Sequence, residues 1–135
     1  MVGSDPATAF RVMIAARVFD GYCNSTECAV LENEGVVQLG VSLKDSVLMV
    51  EMELASLGVV NEKVLLRELE SILQRFTADG KLLPKEYEDS IQMLCKVRIG
   101  YRKGLDHQVA ERFIVDFCRR NRIKVKKGFF SWVVP

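Results

Sequence analysis

Histidine is almost absent from this chain, and the motifs of common enzymes are absent with it. His107 is the only histidine among 135 residues, and no nucleophile stands in a recognisable strand-turn-helix setting. Neither a glycine-rich phosphate loop nor an H-E-x-x-H pair occurs. His107 follows Asp106 near the start of a predicted helix, where we expect a partly exposed residue. We therefore predict no catalytic role for it, and a protein that is not an enzyme.

Cysteine pairs of the kind that bind zinc are also missing. No C-x2-C pair occurs among the four cysteines, which are Cys23, Cys28, Cys95 and Cys118. Cys95 and Cys118 fall at apolar positions of predicted helices. We expect both to be reduced core residues, because free cysteine behaves as a small buried hydrophobe. Cys23 and Cys28 lie near a predicted loop, and the sequence leaves their reactivity open.

Long hydrophobic runs are lacking. Glu51 and Glu53 interrupt the stretch VLMVEMELASL, so we predict no segment that spans a bilayer. The first ten residues, MVGSDPATAF, are not typical of a secretory signal, because they lack a basic start and an apolar core. With 49% hydrophobic and 27% charged residues, the composition is typical of a globular domain. We expect a soluble, cytoplasmic protein of one domain.

What the sequence does contain is a series of helix signals. Asp5 before Pro6 is typical of a helix start, and Asn24 with Glu27 forms the pattern of a reciprocal capping box. Gly58 stands where a glycine ends a helix. The predicted helices cover about 6–19, 25–35 or 25–40, 42–57, 61–78, 84–99 and 105–120.

One short pattern, DG-x5-E, occurs twice between long amphipathic segments. Asp20-Gly21 is followed by Glu27, and Asp79-Gly80 is followed by Glu86. A third predicted helix follows each pair, which indicates a duplication. The predicted fold is all-α: a compact bundle of about six to seven helices in two pseudo-duplicated three-helix halves. This helical domain is assigned to residues 1–121, and a non-helical C-terminal arm to residues 122–135.

The repeated pattern has a purely structural interpretation and a metal-binding one. Glycine can end one helix because it adopts the left-handed conformation without steric strain, and the glutamate accepts a hydrogen bond from a free amide at the start of the next helix. An EF-hand would need oxygen ligands at its first and third positions. Those positions are Arg75 and Thr77 in the second copy, and Ala16 and Val18 in the first. An independent EF-hand site is therefore not expected.

The second copy resembles the TerB-like (tellurite-resistance) family through Ala78-Asp79-Gly80 and Glu86, whereas the first copy has Phe19 before its Asp-Gly. The resemblance covers Arg11 to about Arg120. It implies a non-catalytic stress-response module that works through protein partners and binds a divalent cation such as calcium, magnesium or manganese. The implied metal ligands are Asp20, Glu27, Asp79 and Glu86, with Glu32, Glu34, Glu88 or Asp89 as additions.

Positive charge is concentrated towards the C-terminus. Residues 1–60 hold three Lys and Arg against eight Asp and Glu, a net charge of −5, whereas residues 61–135 hold sixteen against ten, a net charge of +6. The basic and aromatic residues of the C-terminal region are Arg119, Arg120, Arg122, Lys124, Lys126, Lys127, Phe129, Phe130 and Trp132.

This basic and aromatic composition leaves several interpretations open. The cations fit phosphates and the rings fit bases, which favours nucleic acid, and the same groups fit a membrane or protein surface. Alternatively, the aromatics fold back onto the core, or the alternation in IKVKK marks a strand that pairs with another chain. Apolar side chains in the third predicted helix also raise the possibility of a homo-oligomer. They include Val47, Leu48, Met52 and Leu57.

Overall fold

The computed structural model describes residues 5–127 and 131–135, which form six helices and five short strands. The elements are α1 (Pro6–Arg17), β1 (Tyr22–Cys23), α2 (Ser25–Leu39), α3 (Leu43–Leu57), β2 (Val60–Asn61), α4 (Glu62–Phe76), β3 (Lys81–Leu82), α5 (Pro84–Cys95), α6 (His107–Arg120), β4 (Lys124–Lys127) and β5 (Ser131–Val133). A mostly helical fold is confirmed. The all-α prediction needs correction, because two small sheets are present. The two-residue strands β1, β2 and β3 are too short to show an alternating pattern in the sequence, whereas β4 lies in the IKVKK stretch, whose alternation indicates a possible strand.

The predicted helix starts are confirmed where a local side chain caps the helix. Asp5 accepts a hydrogen bond from the Thr8 amide before α1, and Asn24 forms the expected capping box before α2. Ser42 caps α3 in the same way, and Gly58 ends that helix with φ of 66°. These signals act over three or four residues, which is why the sequence alone reveals them.

The structure decides one helix end that the sequence left open and corrects another. Helix α2 does not stop at Gly35 but continues to Leu39, and Gly40 takes the left-handed conformation after it. Helix α5 ends at Cys95 instead of near Ile99. A Cβ on Gly104 would lie 2.1 Å from the Cys95 carbonyl oxygen, so the returning chain passes directly over the end of α5.

The described chain divides into two compact units. The first contains the described residues up to Lys63 together with Arg98–Lys103, and the second contains Val64–Val97 together with the described residues from Gly104 onward. None of the helices in the described part of the chain has the length and apolar character needed to cross a membrane.

In the first unit, α1, α2 and α3 contact one another, and β1 pairs in parallel with β2. A Cβ on Gly35 would lie 2.1 Å from Ser46 Oγ and 2.9 Å from Phe10 Cζ, so only glycine lets these helices approach so closely. Leu48 and Met52 are exposed on α3, and the predicted homo-oligomer stays a prediction. The buried core consists of Phe10, Ile14, Val18, Cys23, Cys28, Leu31, Val50, Leu54 and Val59.

In the second unit, α5 contacts α6, and a three-stranded sheet has the order β3-β4-β5. Strand β4 pairs in parallel with β3 and antiparallel with β5. Strand β4 is therefore not open to pairing with another chain, because it has a partner from its own chain on each side. Buried side chains of this unit include Leu69, Leu73, Leu82, Ile91, Leu94, Ile114 and Phe117.

The two copies of DG-x5-E occupy equivalent places in their units. In each case a helix is followed by the Asp-Gly turn, a two-residue strand, two helices and a second strand. That second strand pairs in parallel with the first, as β2 does with β1 and β4 does with β3. The same order of elements and the same parallel pairing support the predicted duplication.

Candidate functional site

The two predicted aspartate ligands each stabilise a turn. Asp20 Oδ1 accepts a hydrogen bond from the Tyr22 amide at 3.3 Å, and Asp79 Oδ1 accepts one from the Lys81 amide at 3.1 Å. The glycine after each aspartate has a positive φ, 87° at Gly21 and 83° at Gly80. An aspartate that accepts from the amide two residues later, followed by a left-handed glycine, is a common way to reverse the chain.

The two predicted glutamate ligands hold the starts of the following helices. Glu27 Oε1 accepts from the Asn24 amide at 3.1 Å, and Glu86 Oε1 accepts from the Leu83 amide at 2.9 Å. These contacts satisfy amides that have no partner inside the helix. The prediction that DG-x5-E forms a helix corner is confirmed in both copies.

In the described residues, the four predicted metal ligands act in the two corners and are not grouped around a possible ion. Asp20 and Glu27 belong to the first unit, and Asp79 and Glu86 belong to the second. Among residues 5–127 and 131–135, no three His, Cys, Asp or Glu side chains are grouped as a metal ion would require. The divalent-cation site stays a prediction.

Of the additional acidic residues, two are held in ion pairs. Glu32 Oε2 lies 2.5 Å from Lys63 Nζ, and Glu34 Oε1 lies 2.6 Å from Arg17 Nη1. Both carboxylates therefore already have a cationic partner.

A different group of side chains comes together on one face of the β3-β4-β5 sheet. Lys81 is directly opposite Lys124, and Lys126 is directly opposite Trp132. Directly opposed residues point to the same side of a sheet, and so do residues two apart on one strand. Lys81, Lys124, Lys126 and Trp132 therefore share one surface, which we name the sheet face.

The opposite side of the same sheet is apolar. Leu82 is opposite Val125, and Val125 is opposite Val133. Leu82 is 2% exposed and Val125 is half-buried, so this side packs inward at β3 and β4, whereas Val133 on the edge strand is 38% exposed. The alternation of lysine and apolar residues in β4 thus directs the charges outward.

The sheet face is positively charged and carries an aromatic ring. Lys81 Nζ lies 5.1 Å from the centre of the Trp132 ring, within the range of a cation–π interaction. Lys124 and Lys126 are exposed. In the part of the chain that the structure describes, neither of them pairs with a carboxylate. Their charges are available to an anionic ligand.

The other predicted binding residues near the C-terminus lie outside the sheet face or outside the described residues. The Arg119 guanidinium donates to the Pro135 carbonyl at 3.2 Å and to Asp116 Oδ1 at 3.4 Å, so it fastens the chain end. Arg120 is exposed at the end of α6. Phe129 and Phe130 lie outside the described residues, as does the side chain of Lys127.

Arg122 has an unusual backbone. Its φ is 53°, and it is the only non-glycine residue with a positive φ in the described ranges 5–127 and 131–135. Five glycines occupy the other positive-φ positions. A left-handed conformation costs a residue with a side chain about 1–2 kcal/mol. Arg122 is exposed and lies shortly before β4, at a position where glycine would fit with less strain.

Lys81 is the member of the sheet face that sequence reasoning missed. It lies inside the second DG-x5-E pattern, far along the chain from the arm, and only the pairing of β3 with β4 brings it to Lys124. No pattern of neighbouring residues predicts the pairing of β3 with β4.

Comparisons with protein-family models, with curated proteins and with solved structures found no match. The TerB-like resemblance, and the stress-response role and protein partners that it implies, therefore stay predictions.

Proposed function

We propose that this protein is a non-catalytic interaction module that binds single-stranded nucleic acid through the sheet face. The observation that carries the proposal is the presence of three lysines and the only tryptophan of the chain on one side of a three-stranded sheet.

The charge of the sheet face suits a phosphate backbone. Lys81, Lys124 and Lys126 are exposed, and residues 61–135 carry a net charge of +6. Each phosphate that a lysine neutralises releases condensed counterions, which favours binding at low salt. With three lysine contacts, the logarithm of the association constant should fall with the logarithm of salt concentration with a slope of about −2, from about −0.7 per contact on a single strand.

The tryptophan suits a base. Trp132 is half-buried, with Lys81 against its ring. Stacking of one base on an aromatic side chain contributes about 1–3 kcal/mol and requires an unpaired base. A sheet surface with one ring among cations therefore favours a single strand over a duplex, whose bases are already stacked.

Fluorescence anisotropy with labelled single-stranded RNA and DNA of about a dozen nucleotides tests this proposal. At physiological salt we expect a dissociation constant of about 10⁻⁶–10⁻⁴ M, typical of binding without sequence preference, and tighter binding at low salt. Lys124→Gln and Lys126→Gln should each weaken binding and make the salt slope shallower by about 0.7. Trp132→Ala should weaken binding by roughly 5- to 150-fold, and Trp132→Phe by less.

Lys85→Gln is the matched control. Lys85 is also exposed in the second unit, on α5, and its replacement removes the same charge outside the sheet face. Point variants are preferable to deletion from Lys124 onward, because that deletion removes β4 from the centre of the sheet. Equal losses in Lys85→Gln and Lys126→Gln would show that only general charge matters. No binding by either nucleic acid at low salt would overturn the proposal.

A further inference from the structure

Two cysteines of the first unit lie next to each other in its core. Cys23 is on β1 and Cys28 is in the first turn of α2, and both side chains are fully buried. Their Sγ atoms are 3.1 Å apart. Neither is part of a disulfide. The pair is not part of the sheet face.

The two sulfur atoms are close to bonding distance. A disulfide needs its sulfur atoms about 2.05 Å apart, so closing the bond requires an approach of about 1 Å. The backbone around the pair is well held: β1 pairs with β2, and Asn24 caps α2 between the two cysteines. The Cys28 thiol also lies 3.4 Å from Asn61 Oδ1 on β2.

The two thiols differ in acidity. The hydrogen bond between them lowers the pKa of Cys28 and outweighs burial and the charge of Glu32, which raise it; the charge of Lys63 also lowers it. The same hydrogen bond, together with burial, raises the pKa of Cys23. Cys28 is therefore the thiol that ionises first, and its place in the first turn of a helix is one that favours a thiolate.

We propose that Cys23 and Cys28 form a reversible disulfide when the protein meets hydrogen peroxide. The Cys28 thiolate attacks one peroxide oxygen, the O–O bond breaks, and the released hydroxide takes a proton to become water. The resulting sulfenic acid is attacked by Cys23 sulfur, the S–O bond breaks, and the Cys23 proton leaves with the hydroxide as a second water. The two thiols lose two electrons, and the peroxide gains them.

Burial controls access to this site. The corner Tyr22–Ser25, which contains Cys23, is held by Glu62, whose carboxylate accepts hydrogen bonds from the Tyr22 hydroxyl at 2.5 Å and from the Ser25 amide and hydroxyl at 3.1 Å and 3.0 Å. The β1-β2 ladder is only two residues long. Oxidation therefore proceeds through local opening of this corner, and the disulfide then locks Cys23 to the start of α2.

The other two cysteines provide an internal comparison. Burial raises the pKa of both Cys95 and Cys118. Cys118 is as deeply buried as the pair. Both should lose their thiols at least about tenfold more slowly than the pair, because reactivity follows the thiolate fraction.

Peptide mapping of the full chain after peroxide treatment tests the proposal. Trypsin releases residues 18–44 as one peptide, since no Lys or Arg occurs between Arg17 and Lys44, and this peptide contains both cysteines. We expect the peptide to lose two hydrogens, free thiols in the denatured protein to fall from four to two, and dithiothreitol to restore all four. Cys95→Ser should behave like the parent, whereas Cys28→Ser should not form the bond.

Three results would overturn the proposal: two intact thiols in the 18–44 peptide while Cys95 or Cys118 is oxidised, disulfides between different molecules only, or Cys28 passing to sulfinic acid with Cys23 still a thiol. Mapping the unsubstituted chain decides among these results even if a serine variant fails to fold.

Discussion

Replacing Arg122 with glycine should stabilise the fold and weaken ligand binding at the same time. The backbone of Arg122 has φ of 53°, and a left-handed conformation costs a non-glycine residue about 1–2 kcal/mol. Glycine relieves that strain but makes the unfolded chain more flexible, which takes back about 0.4–1 kcal/mol. The net gain should be about 0.5–1 kcal/mol in the free energy of unfolding, or about 2–4 °C in melting temperature.

Two further substitutions separate the backbone from the side chain. Arg122→Ala keeps the strain and removes the charge, so its stability should stay near that of the parent. Arg120→Gly places glycine at the last residue of α6, which still has a helical backbone, and should lower stability by about 0.5 kcal/mol. The same change to glycine should therefore have opposite signs at two positions in one short segment.

Urea unfolding followed by circular dichroism measures these differences, and anisotropy with a single-stranded oligonucleotide measures binding. Arg122→Gly and Arg122→Ala should weaken binding equally, since each removes the same guanidinium. Loss of stability in Arg122→Gly would refute the argument that the arginine is held under strain. Unchanged binding in both variants would show that the charge of Arg122, two residues before Lys124, does not contribute to binding.

Three further predictions concern the corners and the core. Gly35→Ala should destabilise the protein by about 1–3 kcal/mol in urea unfolding, because the added methyl would meet Ser46 Oγ at 2.1 Å; an unchanged midpoint would contradict the close packing. Glu62→Gln should cost about 1–3 kcal/mol in the same assay, because an amide cannot accept all three hydrogen bonds that this carboxylate accepts. Thermal melts with EDTA and then with calcium, magnesium or manganese test the ion-binding prediction: a cation-dependent rise that an Asp20→Asn, Asp79→Asn variant loses would support a metal site, and identical curves would leave both aspartates as turn acceptors only.

Local features of this fold were predictable from sequence, and long-range ones were not. Asp5, Asn24 and Ser42 announce helix starts because a cap involves only the next three residues. The end of α5 was misplaced because Gly104, from a distant segment, passes over the Cys95 carbonyl. A helical pattern cannot reveal such a crossing.

In the candidate site, too, the local features were predictable from sequence and the long-range ones were not. The lysines and Trp132 of the arm were identified from composition, since clustered cations and aromatic rings are visible in one stretch. Their common surface with Lys81 was not, because it depends on the parallel pairing of β3 with β4. The acidic residues of the two corners were correctly placed at turns, and their hydrogen bonds explain their spacing without a ligand.

The most direct test of nucleic-acid binding uses the intrinsic fluorescence of Trp132, because it is the only tryptophan in the chain and lies on the proposed surface. Single-stranded oligonucleotide is titrated into the protein at several salt concentrations. We expect saturable quenching, with the logarithm of the association constant falling against the logarithm of salt with a slope of about −2. Fluorescence that does not change at any salt concentration, in a protein that remains folded by circular dichroism, would contradict binding at the sheet face.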